Sequence, residues 1–324
     1  MTVARVGLGV AASGLLGWLA VRGLDWGLVV DAFSGVSITM MALATLVFMV
    51  ANYLRAVRWR ALFVDGTVST NRLFVVQNIG IGLNNVVPVR VASEAVQIAI
   101  LSLRDNVRPS VALATVGMER VLDLIVSAVI LGIALVLIPE MERFTLYIWG
   151  AIGIAVASVV VVRILAWSSA GVEWVTRITF LAEFLSAVKD LERERTRLAA
   201  STGVTFVYWL LVGVTAWMIA DSISLSITPV VATAVIMGTI YFATAVPAAP
   251  AAIGTFEFAV VYVLELFGVS RESGFGFAII THAVFFLPPT IMAAVFLPRE
   301  GIGSIGRLRS AFAGLKDRLE AESA

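Results

Sequence analysis

The chain has 324 residues, 60% of them hydrophobic, with a mean hydropathy of +0.99. Only 14% are charged, against about 25% in a soluble globular protein, so the composition indicates a multi-pass membrane protein. The net charge of +1 gives no reason to expect a nucleic-acid partner, and the absence of cysteine excludes disulfides and thiol chemistry. Because His282 is the single histidine, we expect no histidine metal cluster, and we predict no cofactor.

Six apolar stretches approach or exceed the roughly 20 residues that a helix needs to cross a bilayer. The six helices are predicted at 4–21, 37–54, 111–138, 145–166, 201–220 and 275–297. Arg5 before the first stretch is also typical of a signal peptide, but no clear small-residue cleavage site follows, so we expect this helix to be retained. The fold class predicted is therefore an all-α membrane protein.

Two further apolar stretches, 73–103 and 228–266, are interrupted. The interruptions are built from the following residues: Asn84, Asn85, Pro88 and Arg90 ahead of Glu94 in the first stretch, and Pro247, Pro250, Gly254 and Thr255 ahead of Glu257 in the second. Unpaired backbone groups cost several kcal/mol each in a bilayer, so such breaks are tolerated only inside protein or beside a wet cavity. A matched pair of interrupted segments points to a transport site at the membrane midplane.

The distribution of basic residues predicts that both interrupted stretches are re-entrant hairpins. With a cytoplasmic N-terminus, hairpins place 18 of the 23 Lys and Arg residues inside and three outside, while Arg90 and Arg120 fall within the membrane. Two single crossings would instead split them 11 to 10. The positive-inside rule favours the hairpins, and with them a cell-membrane protein whose N- and C-termini are cytoplasmic.

This topology gives two halves of opposite orientation, about 37–138 and 201–297. Setting Glu94 against Glu257 also places Glu119 against His282, with the same spacing of 25 residues. Together these features predict an inverted repeat, the architecture of many alternating-access carriers.

The remaining segments are predicted to be amphipathic. Apolar residues recur at spacings of three or four in 169–200, which predicts a helix on the cytoplasmic surface whose solvated end is 189–197. The integral membrane domain is predicted to cover 1–300, and 301–324 is predicted to be a cytoplasmic amphipathic tail.

Charged side chains within the apolar segments are the candidate functional residues, because each costs at least about 2.5–3.5 kcal/mol at a helix centre and needs a partner. Arg90 can hold a lipid phosphate in a bidentate fork, or it can form a salt bridge to Glu94 that closes the hairpin. Glu119 and Asp123 share a helix face, and Arg120 is within reach of Asp123. These three either contact substrate or form a charge network that braces the first hairpin.

The second interrupted stretch offers groups for proton or ion coupling. Glu257 begins the helix after the break, so it either serves a proton or cation site or caps the helix together with Thr255. His282 is either a proton carrier or a core histidine with satisfied hydrogen bonds. In the first stretch, Asn84 and Asn85 either cap freed carbonyl groups or contact a headgroup.

Several motifs together resemble one known family. They are YLRAVRWRALF (53–63), NNVVPVR (84–90), MERVLDLIV (118–126), VPAAPAAIGTFE (246–257), and His282 followed by FLPPT (286–290). The chain resembles the flippase-like family, also called the lysylphosphatidylglycerol synthase transmembrane region. The resemblance implies movement of lipids or lipid-linked molecules across membranes.

The sequence departs from that family's pattern at several places. Glu94 stands one residue later than in the usual Pro-x-Arg-x-Gly-Glu, Gln97 replaces a frequent basic residue, and Ala251-Ala252 replaces Gly-Gly. Some members carry a cytosolic domain that attaches lysine to phosphatidylglycerol. Only residues 298–324 follow the last predicted helix, so we expect no such domain and no enzymatic activity.

The predicted function is translocation of a phospholipid or lipid-linked anionic headgroup through a site between the two hairpins, with membrane lipid as the partner. The alternative is an accessory protein that binds lipid without transporting it and regulates a lipid-modifying enzyme. An intramembrane enzyme is a third reading, for which the sequence offers no nucleophile paired with a base.

Overall fold

A computed structural model describes residues 2–63, 68–86, 92–168, 179–245 and 248–301, with Ser310, Ala313 and Gly314. In this part of the chain the fold is all-helical, as predicted, with short 3-10 turns at Pro139–Phe144 and Pro250–Ala252. The α-helices are α1 (Thr2–Val21), α2 (Trp26–Ser34), α3 (Ile38–Ala61), α4 (Thr70–Val86), α5 (Ala92–Arg104), α6 (Pro109–Leu137), α7 (Thr145–Ser168), α8 (Thr179–Arg193), α9 (Arg195–Ser222), α10 (Pro229–Ala245), α11 (Thr255–Leu266) and α12 (Arg271–Phe296).

Five of these helices, α3, α6, α7, α9 and α12, are long and apolar enough to cross a membrane. The pair α1 and α2, bent by 83° at the break between them, makes a sixth crossing if it forms one span. The predicted set of about six spans is thus confirmed by length and composition. One boundary was wrong: the helix predicted at 37–54 continues to Ala61 and therefore carries Arg55, Arg58 and Arg60, which the charge count had placed in a cytoplasmic loop.

The first interrupted stretch forms a hairpin of α4 and α5, which pack against each other. Its open ends meet, because Arg72 Nε lies 2.9 Å from Asp105 Oδ1, just beyond α5. Both ends also reach Glu300, four residues beyond the end of α12: Arg72 pairs with the Glu300 carboxylate, and Arg104 Nη2 donates to the Glu300 carbonyl at 2.8 Å. At 1.5 Å per residue α4 is about 26 Å long and α5 about 20 Å, each shorter than a 30 Å hydrocarbon core.

The second interrupted stretch forms a hairpin of α10 and α11, which also pack together. Its open end lies at the start of α12, where Arg271 Nε is 3.7 Å from Glu265 Oε1 in α11. The first hairpin is anchored beyond the end of α12, so the two hairpins open toward opposite ends of this helix. Helix α4 also contacts the 3-10 turn Pro250–Ala252, so the first hairpin meets the second break.

Helix α1 holds the second break through small residues spaced by four. A Cβ on Gly9 would lie 3.0 Å from the Ala248 carbonyl oxygen, and one on Gly254 would lie 2.3 Å from the Ser13 carbonyl oxygen. Ser13 Oγ accepts from the Ala249 amide at 2.7 Å and shares a hydrogen bond with Thr255 Oγ1 at 3.0 Å. Backbone groups freed by the break are thus satisfied inside protein, as a bilayer environment requires.

The segment 169–200 between the two halves does not form the single surface helix that was predicted. Helix α8 ends at Arg193, and Arg195 already begins the spanning helix α9, so 189–197 is not the solvated end of one surface helix. The apolar face of α8, with Leu185, Val188 and Leu191, is buried, and α8 packs against α6 and α7. Residues 169–178 and nearly all of the predicted tail 301–324 lie outside the described residues.

Candidate functional site

The most deeply buried charges form a cluster around Arg58 on α3. Its guanidinium is fully buried and makes a bidentate pair with Asp123 on α6, with Nη1–Oδ1 at 2.5 Å and Nη2–Oδ2 at 2.9 Å. Arg58 Nε also donates to Glu119 Oε1 at 3.1 Å. One guanidinium therefore satisfies two carboxylates at i and i+4 on an apolar helix, in the planar fork geometry that favours arginine over lysine. We call these three residues the Arg58 cluster.

Helix α9 completes the surroundings of the Arg58 cluster. Trp209 Nε1 donates to Asp123 Oδ1 at 3.2 Å, Arg58 Nη1 lies 3.4 Å from Thr205 Oγ1, and the guanidinium stands 5.5 Å from the centre of the Tyr208 ring. The cluster thus joins α3, α6 and α9, three spanning helices, rather than bracing the first hairpin. Arg58 was not predicted as a functional residue, because the motif 53–63 that contains it pointed only to a family resemblance.

Arg120 does not pair with Asp123, as its i+3 spacing had suggested. Its Nη2 lies 2.6 Å from Oε1 of Glu94, in the first turn of α5. The two side chains are 48% and 30% exposed, so this pair is accessible, in contrast to the Arg58 cluster. Glu94 therefore links the first hairpin to α6. Arg90, the alternative partner, and Pro88 lie outside the described residues, as does Pro247 in the second break.

Glu257 has the partner that the sequence did not reveal. One carboxylate oxygen, Oε2, accepts from the Gly254 amide at 2.6 Å and caps the start of α11, while Oε1 pairs with His282 Nδ1 on α12. The N-cap is Gly254, with φ of 83°, and not Thr255, whose hydroxyl bonds to Ser13 instead. Both Glu257 and His282 are buried. The same carboxylate thus serves both the capping role and the pair with His282.

The two hairpins carry equivalent ion pairs. Glu94 is the third residue of α5 and Glu257 the third residue of α11. Each pairs with a basic residue on the following spanning helix, Arg120 at a separation of 26 residues and His282 at a separation of 25. The second helix of each hairpin is therefore fixed at its N-terminal end by a glutamate–base pair.

The end of α4 connects the two breaks through α12. Asn85 Nδ2 donates to Thr290 Oγ1 at 2.9 Å and to the Phe286 carbonyl at 3.3 Å. The Phe286 ring in turn lies 4.1 Å from the His282 ring, centre to centre. Asn84 Oδ1 is buried and, among the described residues, has no hydrogen-bond partner. Asn85 is thus used within the fold, whereas Asn84 keeps an acceptor free beside the first break.

A second polar cluster, which the sequence reading missed, lies between α3 and α4. Asn52 Nδ2 donates to Asn78 Oδ1 at 2.5 Å, and Gln77 Nε2 donates to Asn52 Oδ1 at 2.7 Å. All three side chains are buried, and Gln77 Oε1 lacks a partner in the part of the chain that the structure describes. The sequence signal for this cluster was Asn52, a polar residue within the otherwise apolar helix predicted at 37–54.

The departure at Ala251-Ala252 falls on a demanding backbone. Both residues have positive φ, 55° and 57°, a region that L-residues with a Cβ adopt at a cost of roughly 1–2 kcal/mol each. Glycine adopts this region freely, which explains why the family pattern has Gly-Gly here. The two alanines keep the turn and add strain to it.

The fold and the site define a multi-pass helical membrane protein in which two pairs of short helices, α4 with α5 and α10 with α11, pack against the spanning helices. The family model described as "Lysylphosphatidylglycerol synthase TM region" matches residues 6–293. The chain belongs to this family, which confirms the resemblance drawn from its motifs. No curated protein matches the chain.

Proposed function

We propose that this chain translocates a phospholipid, or a lipid-linked molecule with an anionic headgroup, across the membrane. Its family gives it a lipid-related setting. The observation that carries the proposal is the pair of hairpins that open toward opposite ends of α12, with α4 of the first in contact with the second break. In a bilayer these become re-entrant hairpins, and the meeting point is the midplane site for the headgroup. The acyl tails remain in lipid, and the chain acts as a carrier rather than an enzyme.

The packing of the helices supports an inverted repeat. In the first half α3 contacts α4 and α5 contacts α6; in the second half α9 contacts α10 and α11 contacts α12. The cross-contacts also correspond, since α4 packs on α12 and α10 packs on α6, while α3 and α9 pack on each other. A pseudo-two-fold axis between α3 and α9 relates these pairs and also relates Glu94–Arg120 to Glu257–His282.

The residues at the site divide into those already committed to the fold and those able to bind. Glu119 and Asp123 are occupied by Arg58, so in this proposal they position helices and shape the electrostatics of the site. Arg120 is half exposed and can exchange Glu94 for an anionic headgroup. Arg90 remains a predicted ligand. Glu257 and His282 supply the counter-charge or coupled proton.

Reconstitution into vesicles tests this proposal. Fluorescent phosphatidylglycerol, phosphatidylethanolamine and phosphatidylcholine are placed in one leaflet, and their appearance in the other is followed by quenching. We expect the wild-type protein to speed the movement of at least one lipid, and Arg120→Gln to slow it. Arg22→Gln, which removes an exposed arginine after α1, is the matched control and should behave as wild type. Equal background rates for wild type and Arg120→Gln with every lipid would refute the proposal.

A non-transporting accessory protein that binds lipid is the second candidate. It is favoured by the close packing of the first hairpin: a Cβ on Gly82 would lie 2.4 Å from the Pro289 carbonyl oxygen, and one on Gly80 would lie 2.4 Å from Gln97 Nε2. Such contacts leave little freedom for α4 to move. Lipid that co-purifies with the protein but does not change leaflet in the vesicles would select this function.

A further inference from the structure

A second arginine on α3, Arg55, differs from Arg58 in its contacts. Arg55 is partly buried, its Nε is shielded from solvent, and among the described residues it makes neither an ion pair nor a hydrogen bond. A guanidinium carries five N–H donors, and burying them unmet is costly in any membrane-inserted segment. The basic residues nearby are used differently: Arg58 holds two carboxylates and Arg120 holds one.

The position of Arg55 is enclosed by polar groups from several helices. On α3 it lies between Asn52 and Arg58, three residues from each, with Asn52 bonded to α4 and Arg58 bonded to α6. Arg58, about one turn beyond Arg55, contacts Glu119 and Asp123, which stand on either side of Arg120 in α6, so Arg55 and Arg120 lie on the two helices that meet at the Arg58 cluster. Arg120 is also the accessible member of its ion pair, so the region is open to a ligand on that side.

We propose that Arg55, together with Arg120, binds the phosphate group of a membrane lipid. The proposal rests on the proposed function for the identity of the ligand as a lipid. A phosphate offers the planar fork of arginine two oxygens at once, which the amide and hydroxyl groups nearby do not. It also supplies the partner that Arg55 lacks in the part of the chain that the structure describes. Arg55 is therefore a headgroup ligand, whereas Arg58, three residues later, is fixed within the fold.

A structural role makes a different prediction for the same residue. The Arg58 cluster has two carboxylates and one cation, so the structural role open to Arg55 is to neutralise the second carboxylate from a distance. In that case its loss would destabilise the protein in the absence of any lipid. If Arg55 serves a ligand, its loss leaves the lipid-free protein as stable as wild type, because no contact within the fold is broken.

Thermal unfolding in neutral detergent separates the two roles. The protein is titrated with phosphatidic acid, with diacylglycerol of the same chains, and with inorganic phosphate. We expect phosphatidic acid to raise the melting temperature of the wild type and diacylglycerol to leave it unchanged. Arg55→Gln should need at least about tenfold more phosphatidic acid for the same shift, since a charge-assisted contact is lost. Arg55→Lys should fall between them, and Arg22→Gln should match the wild type.

The other outcomes of these titrations also test whether Arg55 is a headgroup ligand. A lipid-free melting temperature of Arg55→Gln well below wild type, or equal titration midpoints for the two proteins, would overturn the assignment of Arg55 as a ligand. If inorganic phosphate stabilised the protein as much as phosphatidic acid does, the site would be one for the free anion, and the assignment of a lipid as the ligand would be overturned. A failure of the transport function is distinguishable from a failure of this inference. If phosphatidic acid binds in a way that depends on Arg55 but no lipid moves in the vesicles, the inference is supported and only the transport function is refuted.

Discussion

The Arg58 cluster allows a quantitative prediction, because it is buried and its contacts are complete. Arg58 is 0% exposed, while Glu119 and Asp123 are 3% and 8% exposed. Replacing Arg58 with methionine, a side chain of similar length, strands both carboxylates in an apolar helix. Removing one partner of a buried ion pair costs about 3–5 kcal/mol, so Arg58→Met should lower the free energy of unfolding by that amount.

The cost arises mainly from the stranded charges and can therefore be reversed. The triple variant Arg58→Met, Glu119→Met, Asp123→Asn removes the charges together. Asparagine at 123 keeps an oxygen for Trp209 Nε1, which lies 3.2 Å from Asp123 Oδ1 and would otherwise lose its acceptor at a cost of about 1–3 kcal/mol. We expect the triple variant to recover most of the lost stability, to within about 2 kcal/mol of wild type.

Unfolding in mixed micelles, followed by tryptophan fluorescence and circular dichroism, measures these differences. Arg22→Gln is again the control, and an exposed arginine of this kind should change stability by no more than about 0.5 kcal/mol. Unaltered stability of Arg58→Met would refute the reasoning. So would a triple variant less stable than the single one, since the loss would then come from packing rather than from unpaired charge.

The remaining predictions concern the second break. Ala251→Gly and Ala252→Gly should each stabilise the protein by about 1 kcal/mol in the same unfolding assay, because glycine relieves the positive φ; no gain at either site would refute this. Gly254→Ala should lower the free energy of unfolding by about 2–4 kcal/mol, because its Cβ would lie 2.3 Å from the backbone of α1. The control Gly23→Ala, with φ of 78° and open space around it, should lower it by only about 1–2 kcal/mol. Equal losses of stability for the two variants would contradict the contact with α1. His282→Phe should lower the free energy of unfolding by about 1–3 kcal/mol in the same assay, because the buried Glu257 Oε1 loses its partner; unaltered stability would contradict a role for this pair.

The helical architecture could be predicted from the sequence because it depends on the lengths of the apolar segments and on the number of basic residues between them. A bilayer needs about 20 apolar residues per crossing, and the stretch 73–103 offers too few for two crossings and an interruption between them. The observed meeting of Arg72 with Asp105 agrees with a hairpin. Boundaries were less accurate where basic residues continue a helix, as at Arg55 and Arg58, since position alone does not show whether such a residue is buried or solvated.

The partners at the site could not be predicted, because they join residues far apart in sequence. Arg58 lies 61 and 65 residues from its two carboxylates, and helical periodicity gives no information on contacts between helices. A signal was nevertheless present: Glu119 and Asp123 on one face of an apolar helix require a cation. The sequence reading assigned Arg120 to them, but the rotation of α6 directs Arg120 to Glu94 instead.

The two glutamate–base pairs differ in chemistry, and the difference bears on how a carrier of this design works. Arg120 keeps its charge at every physiological pH, so the pair with Glu94 opens only when another anion competes for the guanidinium. That pair is half exposed, where ion pairs are weak and competition is easy. The Glu257–His282 pair is buried instead, so it is shielded from such competition. In the proposed carrier the substrate headgroup therefore releases the first hairpin, while the second stays fixed by its buried pair.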